Sequence, residues 1–64
     1  MDEELLPIKA IASIMGITIA ELSERSGIPY ERLLNLNIGR GVMNAKELML
    51  LSKASGIPAE KIRI

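Results

Sequence analysis

Apolar residues recur along this chain in short, helix-spaced clusters, and most clusters stop at a glycine. Ile8, Ile11 and Met15 share one helical face, and Leu22, Leu33, Leu36, Leu48, Leu51 and Ile62 supply the inward positions downstream. Gly16, Gly27, Gly39 and Gly56 each follow such a stretch. Glycine ends helices because it takes the left-handed conformation without steric cost. Start signals come soon after. Thr18-Ile19-Ala20-Glu21 reads as a capping box, in which the hydroxyl accepts the Glu21 amide and the carboxylate reaches back. Asn44-Ala45-Lys46-Glu47 reads as another cap. Pro29 and Pro58 suit a first helical position, where no N–H is needed. Glu31 and Glu60 then fall in first turns, where the helix dipole favours negative charge.

The pattern predicts five short helices, at about 4–15, 18–26, 29–38, 44–55 and 58–62. The first starts near Glu4, with Pro7 tolerated only within its first turn. No period-two alternation bounded by turn signals occurs, so no sheet is predicted. The expectation is a compact all-α fold in a single domain spanning residues 1–64. One phrase is written twice, as LSERSGIPYERL at 22–33 and LSKASGIPAEKI at 51–62. Its plain meaning is to end one helix at Gly, turn, and start another at Pro. Two copies fall short of the three or more stacked units a solenoid needs.

Composition narrows the chemistry. At 64 residues the chain is near the lower size limit for folding alone, and it has no cysteine to staple it. It also has no histidine, the commonest metal ligand and general base. Tyr30 is the single aromatic residue, so the core must be aliphatic. With no glycine-rich phosphate loop or metal-ligand cluster either, an enzyme, a metal, a cofactor and a small-molecule substrate are all not expected. Asp2, Glu3 and Glu4 read as a solvated first turn. The apolar runs are too short to span a membrane and no signal-peptide pattern opens the chain, which makes a cytoplasmic protein the expectation. The formal net charge is zero, so only a local basic patch would attract nucleic acid.

Residues 18–41, TIAELSERSGIPYERLLNLNIGRG, are predicted as helix, three-residue turn and helix. Small Ser23 would let the two helices cross closely. This stretch resembles the Cro/CI-type helix-turn-helix family, the lambda-repressor-like DNA-binding domains, and the resemblance spans almost the whole chain. Gly16-Ile17-Thr18 matches the family's G-L-T, Glu21-Leu22 its E-L, and Gly27-Ile28 its turn. Asn37-Ile38-Gly39-Arg40 stands where E-N-G-K/R is common. Leu48, Leu51, Ala54, Gly56 and Ile57 follow the L-x-x-I-A-x-A-L-G-V stretch.

The resemblance implies a five-helix fold in which helix 3 enters the major groove of operator DNA. By position, Tyr30, Glu31 and Asn35 would face the DNA, with Arg32 nearby. Asn35 has the amide chemistry to pair with adenine, and Glu31 can accept from cytosine N4. Tyr30 suits a phosphate or a sugar, Arg40 a phosphate, and the Thr18 end of helix 2 offers free amides to another phosphate. Each residue has a plainer alternative: Tyr30 as core cover, Glu31 as dipole partner, Asn35 as a solvated polar residue, Arg40 as a carbonyl partner and Thr18 as a cap. The function implied is a phage- or bacterial-type transcriptional regulator acting as a homodimer.

Departures from the family carry a second hypothesis. Ile19 replaces a phosphate-gripping glutamine. Ala12 and Asn37 stand where an arginine and a glutamate commonly pair, so both charges are absent together. Ile19, Leu34, Ile38 and Leu50 occupy usually polar positions and suggest a partner surface, a repacked core or a dimer. The alternative is therefore a protein-interaction or oligomerisation module that keeps the fold without reading DNA, a class that includes an engineered sequence. The tail Lys61-Ile62-Arg63-Ile64 alternates polar and apolar residues, as a dimer strand or the edge of a longer protein would.

Overall fold

A computed structural model describes residues 5–64. It contains α1 (Ile8–Met15), α2 (Ile19–Ser26), α3 (Tyr30–Asn37), α4 (Ala45–Ser55) and a closing 3-10 turn (Ala59–Lys61). The Cα radius of gyration is 10.5 Å, close to the ~11 Å of a compact chain this long. No strand forms among the described residues. An isolated parallel bridge joins Leu6 to Ile62 instead.

The hub is α2. It packs on α1, α3 and α4, while α1 also packs on α3 and α4 on the closing turn. Leu22 of α2, Leu33 of α3, Leu51 of α4 and Ile11 of α1 are each fully buried. Ile8, Leu36 and Ile62 are buried as predicted, Leu48 and Met15 pack on the edge of the core, and Ala12 joins it unpredicted. Ile28 and Met43, both in connections, are buried as well. Helical periodicity does not reach them, because neither lies in a helix.

Three expected boundaries move, for related reasons. Pro7, Pro29 and Pro58 are cap residues just outside their helices, with extended ψ of 171°, 142° and 140°. Their carbonyls accept the first bonds, from Ile11 N–H at 3.1 Å, Leu33 N–H at 3.1 Å and Lys61 N–H at 2.9 Å. The first helix therefore begins at Ile8. Its expected start at Glu4, like the acidic Asp2-Glu3-Glu4, lies outside the described residues. Residues 5–7 are non-helical because Leu6 donates to the Lys61 carbonyl (2.8 Å) and accepts from Arg63 N–H (2.9 Å). The expected fifth helix shortens to a 3-10 turn because Ile62 turns extended (ψ 130°) to make that bridge and bury its side chain. The alternating tail is thus paired within its own chain.

The repeated phrase builds the same hydrogen-bonded turn twice. Gly27 and Gly56 take left-handed φ of 81° and 75°. Their N–H groups donate back to Ser23 C=O (2.9 Å) and Ser52 C=O (2.8 Å). Ser23 and Ser52 hydroxyls reach forward to the carbonyls of Ile28 and Ile57. The N–H groups of Ile28 and Ile57 donate to Ser26 Oγ (3.2 Å) and Ser55 Oγ (3.1 Å). Two serines therefore hold both polar groups of the isoleucine between Gly and Pro. Ser23 serves as a turn fastener as well as a small residue between helices.

Ser26 and Ile28 of the first copy are buried, whereas Ser55 and Ile57 of the second are half-buried, which orders their contributions. Ser26→Ala leaves the buried Ile28 N–H without its acceptor and should cost about 1–3 kcal/mol, while Ser55→Ala should cost less. Urea denaturation of the two variants checks this order.

Candidate functional site

The stretch of interest is two eight-residue helices joined by three residues, Gly27 to Pro29. Leu33 and Leu36 turn one side of α3 into the core. Helical spacing then puts Tyr30, Leu34 and Ile38 on one outer row and Glu31 and Asn35 on the next. Tyr30 is 48% exposed and Ile38, just past the helix, 65% exposed. Glu31 and Asn35 are exposed, and Leu34 is half-buried. Tyr30, Glu31 and Asn35 therefore stand together on the solvent side of α3.

Arg40 lies in the loop beyond α3. Its backbone N–H donates to the Asn35 carbonyl at 2.7 Å. Its side chain is exposed and makes no ion pair among the described residues. Thr18 caps α2, its hydroxyl accepting the Glu21 N–H at 3.1 Å. The expected box forms only in half there, because the Glu21 carboxylate turns to Arg25 at 3.8 Å. The full reciprocal box is at α4: Asn44 Oδ1 accepts Glu47 N–H (2.7 Å) and Glu47 Oε1 accepts Asn44 N–H (3.1 Å).

Arg32 has a different employment from its neighbours. Its Nε donates to Glu47 Oε2 at 2.7 Å and its Nη2 to Glu47 Oε1 at 3.0 Å. The same Nη2 donates to the Val42 carbonyl at 2.9 Å. This fork ties α3 to the start of α4 and to the loop between them. The Glu47 hydrogen bond raises the Arg32 pKa further, and the guanidinium is charged at any working pH. Glu47 is held below the usual glutamate range, first by the hydrogen bond from Arg32, then, against the opposing effect of burial, by the Asn44 N–H and the Arg32 charge.

Two further groups are not legible from spacing. Asn37 Oδ1 accepts the Lys9 N–H at 2.9 Å, capping α1 from the end of α3. Arg63 Nη2 donates to the carbonyls of Leu36 (3.3 Å) and Asn37 (2.9 Å), closing α3. Asn37 is thus more than the uncharged remnant of an ion pair, and Ala12 is simply core. The four out-of-place apolar residues divide. Ile19 and Leu50 pack on the core, Leu34 is half-buried, and Ile38 stays exposed, as does its loop neighbour Val42 at 69%. A cavity of about 300 Å³ lies elsewhere, between α4 and the closing turn, lined by Ala45, Leu48, Met49, Ser52, Lys53 and Ala59. No helix among the described residues is long and apolar enough to cross a membrane.

Compared with protein-family models, with curated proteins and with solved structures, the chain matches none.

The lowered Glu47 pKa has a definite sign. A carboxylate whose pKa falls on folding adds stability that is complete above its unfolded value of about 4.3 and is lost as pH drops through the lower folded value. Thermal melts should therefore show stability falling below about pH 4.3. Glu47→Gln should flatten that fall and lower stability at pH 7. An unchanged acid limb in Glu47→Gln would assign the loss to other carboxylates.

Proposed function

We propose that this domain is a transcriptional regulator that binds double-stranded DNA, with α2 and α3 acting as a helix-turn-helix and α3 as the major-groove helix. The observation that carries the reading is the exposed polar side of α3. Leu33 and Leu36 anchor the helix from behind, while Tyr30, Glu31 and Asn35 face solvent together. Arg40 follows directly, and the α2 start at Thr18 precedes it in the chain. Asn35 supplies base reading at adenine, and Arg40 supplies phosphate contact.

Charge sets the stoichiometry. Of eight Lys and Arg side chains, Arg32 is engaged with Glu47, Arg63 with the end of α3, and Arg25 more loosely with Glu21. Arg40, in the loop after α3, and Lys46, exposed at the start of α4, are the two cations this reading assigns to phosphate. A monomer with two phosphate partners binds weakly beside proteins that make about 6–10 such contacts. A homodimer presenting two α3 helices about one DNA turn apart doubles the supply. Exposed Ile38 and Val42 favour a second reading, a protein-interaction or oligomerisation module that does not read DNA.

Fluorescence anisotropy with a labelled random-sequence duplex separates the two. The DNA reading expects binding that weakens steeply between low and moderate salt. Arg40→Ala should weaken it roughly tenfold near 0.1 M salt and lower the salt slope by about one. Asn35→Ala should matter little on random DNA and cost about 1–3 kcal/mol on a selected operator. No binding at low salt by the folded protein would overturn the DNA reading. Association abolished by Leu34→Ser with Ile38→Ser, without unfolding, would then establish the second.

A further inference from the structure

We infer that Arg32 is a positioning residue for DNA binding, holding the Arg40 loop in place, and is not itself a phosphate contact. This rests on the DNA reading above and adds to it. Arg32 projects from α3, where its place in the sequence makes it a DNA-facing cation. The geometry turns it inward along the protein. Both Glu47 carboxylate oxygens take the Nε–Nη2 edge of its guanidinium, and the Val42 carbonyl takes Nη2 again. The Arg32 side chain is 32% exposed and that of Glu47 14%, so the pair is partly screened from water and from incoming phosphate.

What the fork holds is the segment that carries Arg40. Residues 38–44 connect α3 to α4, a pair that is not among the strongly packed helix pairs of the fold. The connection is fixed at its start by Arg40 N–H on the Asn35 carbonyl. It is fixed further on by Arg32 on the Val42 carbonyl, and at its end by the Asn44–Glu47 box. One carboxylate, Glu47, joins the last two fixings. Gly41 lies against the guanidinium, where a Cβ would come within 3.1 Å of Nη1. Its φ of 101° is open to few residues other than glycine. The loop is therefore shaped around Arg32, with Arg40 at its first fixed point and Val42, two residues on, at its second.

A phosphate contact and a positioning residue predict opposite results for the acidic partner. Removing Glu47's negative charge near DNA strengthens binding if electrostatics alone operate, because the protein becomes more positive and Arg32 is released. It weakens binding if the fork sets the loop. The experiment is random-duplex anisotropy across salt for Glu47→Gln, Arg32→Met, Arg40→Ala and the Arg32→Met/Arg40→Ala double variant. Each is measured well below its melting temperature, with folding verified by circular dichroism. The inference expects Glu47→Gln to bind several-fold more weakly than wild type at any salt. It expects Arg32→Met and Arg40→Ala each to lose roughly tenfold near 0.1 M salt, and the double variant to lose no more than Arg40→Ala alone. Should Arg32→Met not fold, Arg32→Lys replaces it. Lysine keeps the charge but not the planar fork, so binding near wild type would overturn the inference and a loss would support it. Additive losses with the salt slope down by about two, or tighter binding by Glu47→Gln, would overturn it while leaving the DNA reading intact. No binding by the wild-type protein would overturn both.

Discussion

An eight-residue α-helix leaves about half of its backbone polar groups without partners in the helix, because the first four N–H and last four C=O groups have none. Three of the four α-helices here are that short. The fold therefore depends on how its helix ends are closed. Most of its side-chain hydrogen bonds close them. Thr18 and Asn44 act at helix starts, Asn37 reaches across to α1, Arg63 closes α3, and paired serines fasten each Ser-Gly-Ile-Pro turn. With no aromatic ring beyond Tyr30 and no disulfide, the interior supplies hydrophobic burial from leucine and isoleucine. The end-closing bonds supply much of the definition of one arrangement over others.

That demand competes with surface function. Each arginine drawn into closing or tying helices is one fewer for a polyanion. Arg63 and Arg32 are both used this way, and Arg32 is the cation closest in sequence to the polar side of α3. The domain has a neutral overall charge, and the positions that would carry DNA affinity are few and clustered. Under the DNA reading, Arg40 on its short glycine-flanked loop carries much of the electrostatic work, and base reading by Asn35 is set against the repulsion of Glu31. Self-association would compensate for a small number of contacts, and Ile38 and Val42 are exposed close to that surface in sequence.

The parts of the structure that depend on neighbours in sequence are legible in it. Glycine stops, the Thr18 and Asn44 caps, the leucine faces and the meaning of the repeated phrase all follow from spacing within a few residues. The parts that depend on distant residues are not. Asn37 meets Lys9 across 28 positions, and Arg32 meets Glu47 across 15. Neither pairing has a local signature, since asparagine and arginine on a helix read equally well as solvated. The pairing of Ile62 with Leu6 escapes for the same reason: a single bridge has no periodicity. The outer residues of α3 are legible as a set, because Leu33 and Leu36 fix the inner side and the rest follows by geometry.

The Leu6–Ile62 bridge places two segments near the ends of the described chain side by side and running in the same direction. Tension applied through residues before Leu6 and after Ile62 would pull these segments in opposite directions along their shared axis. Both bridging hydrogen bonds would then be strained together, not opened one after the other. A small aliphatic core thus has a mechanical clasp at the point where a tether would pull on it.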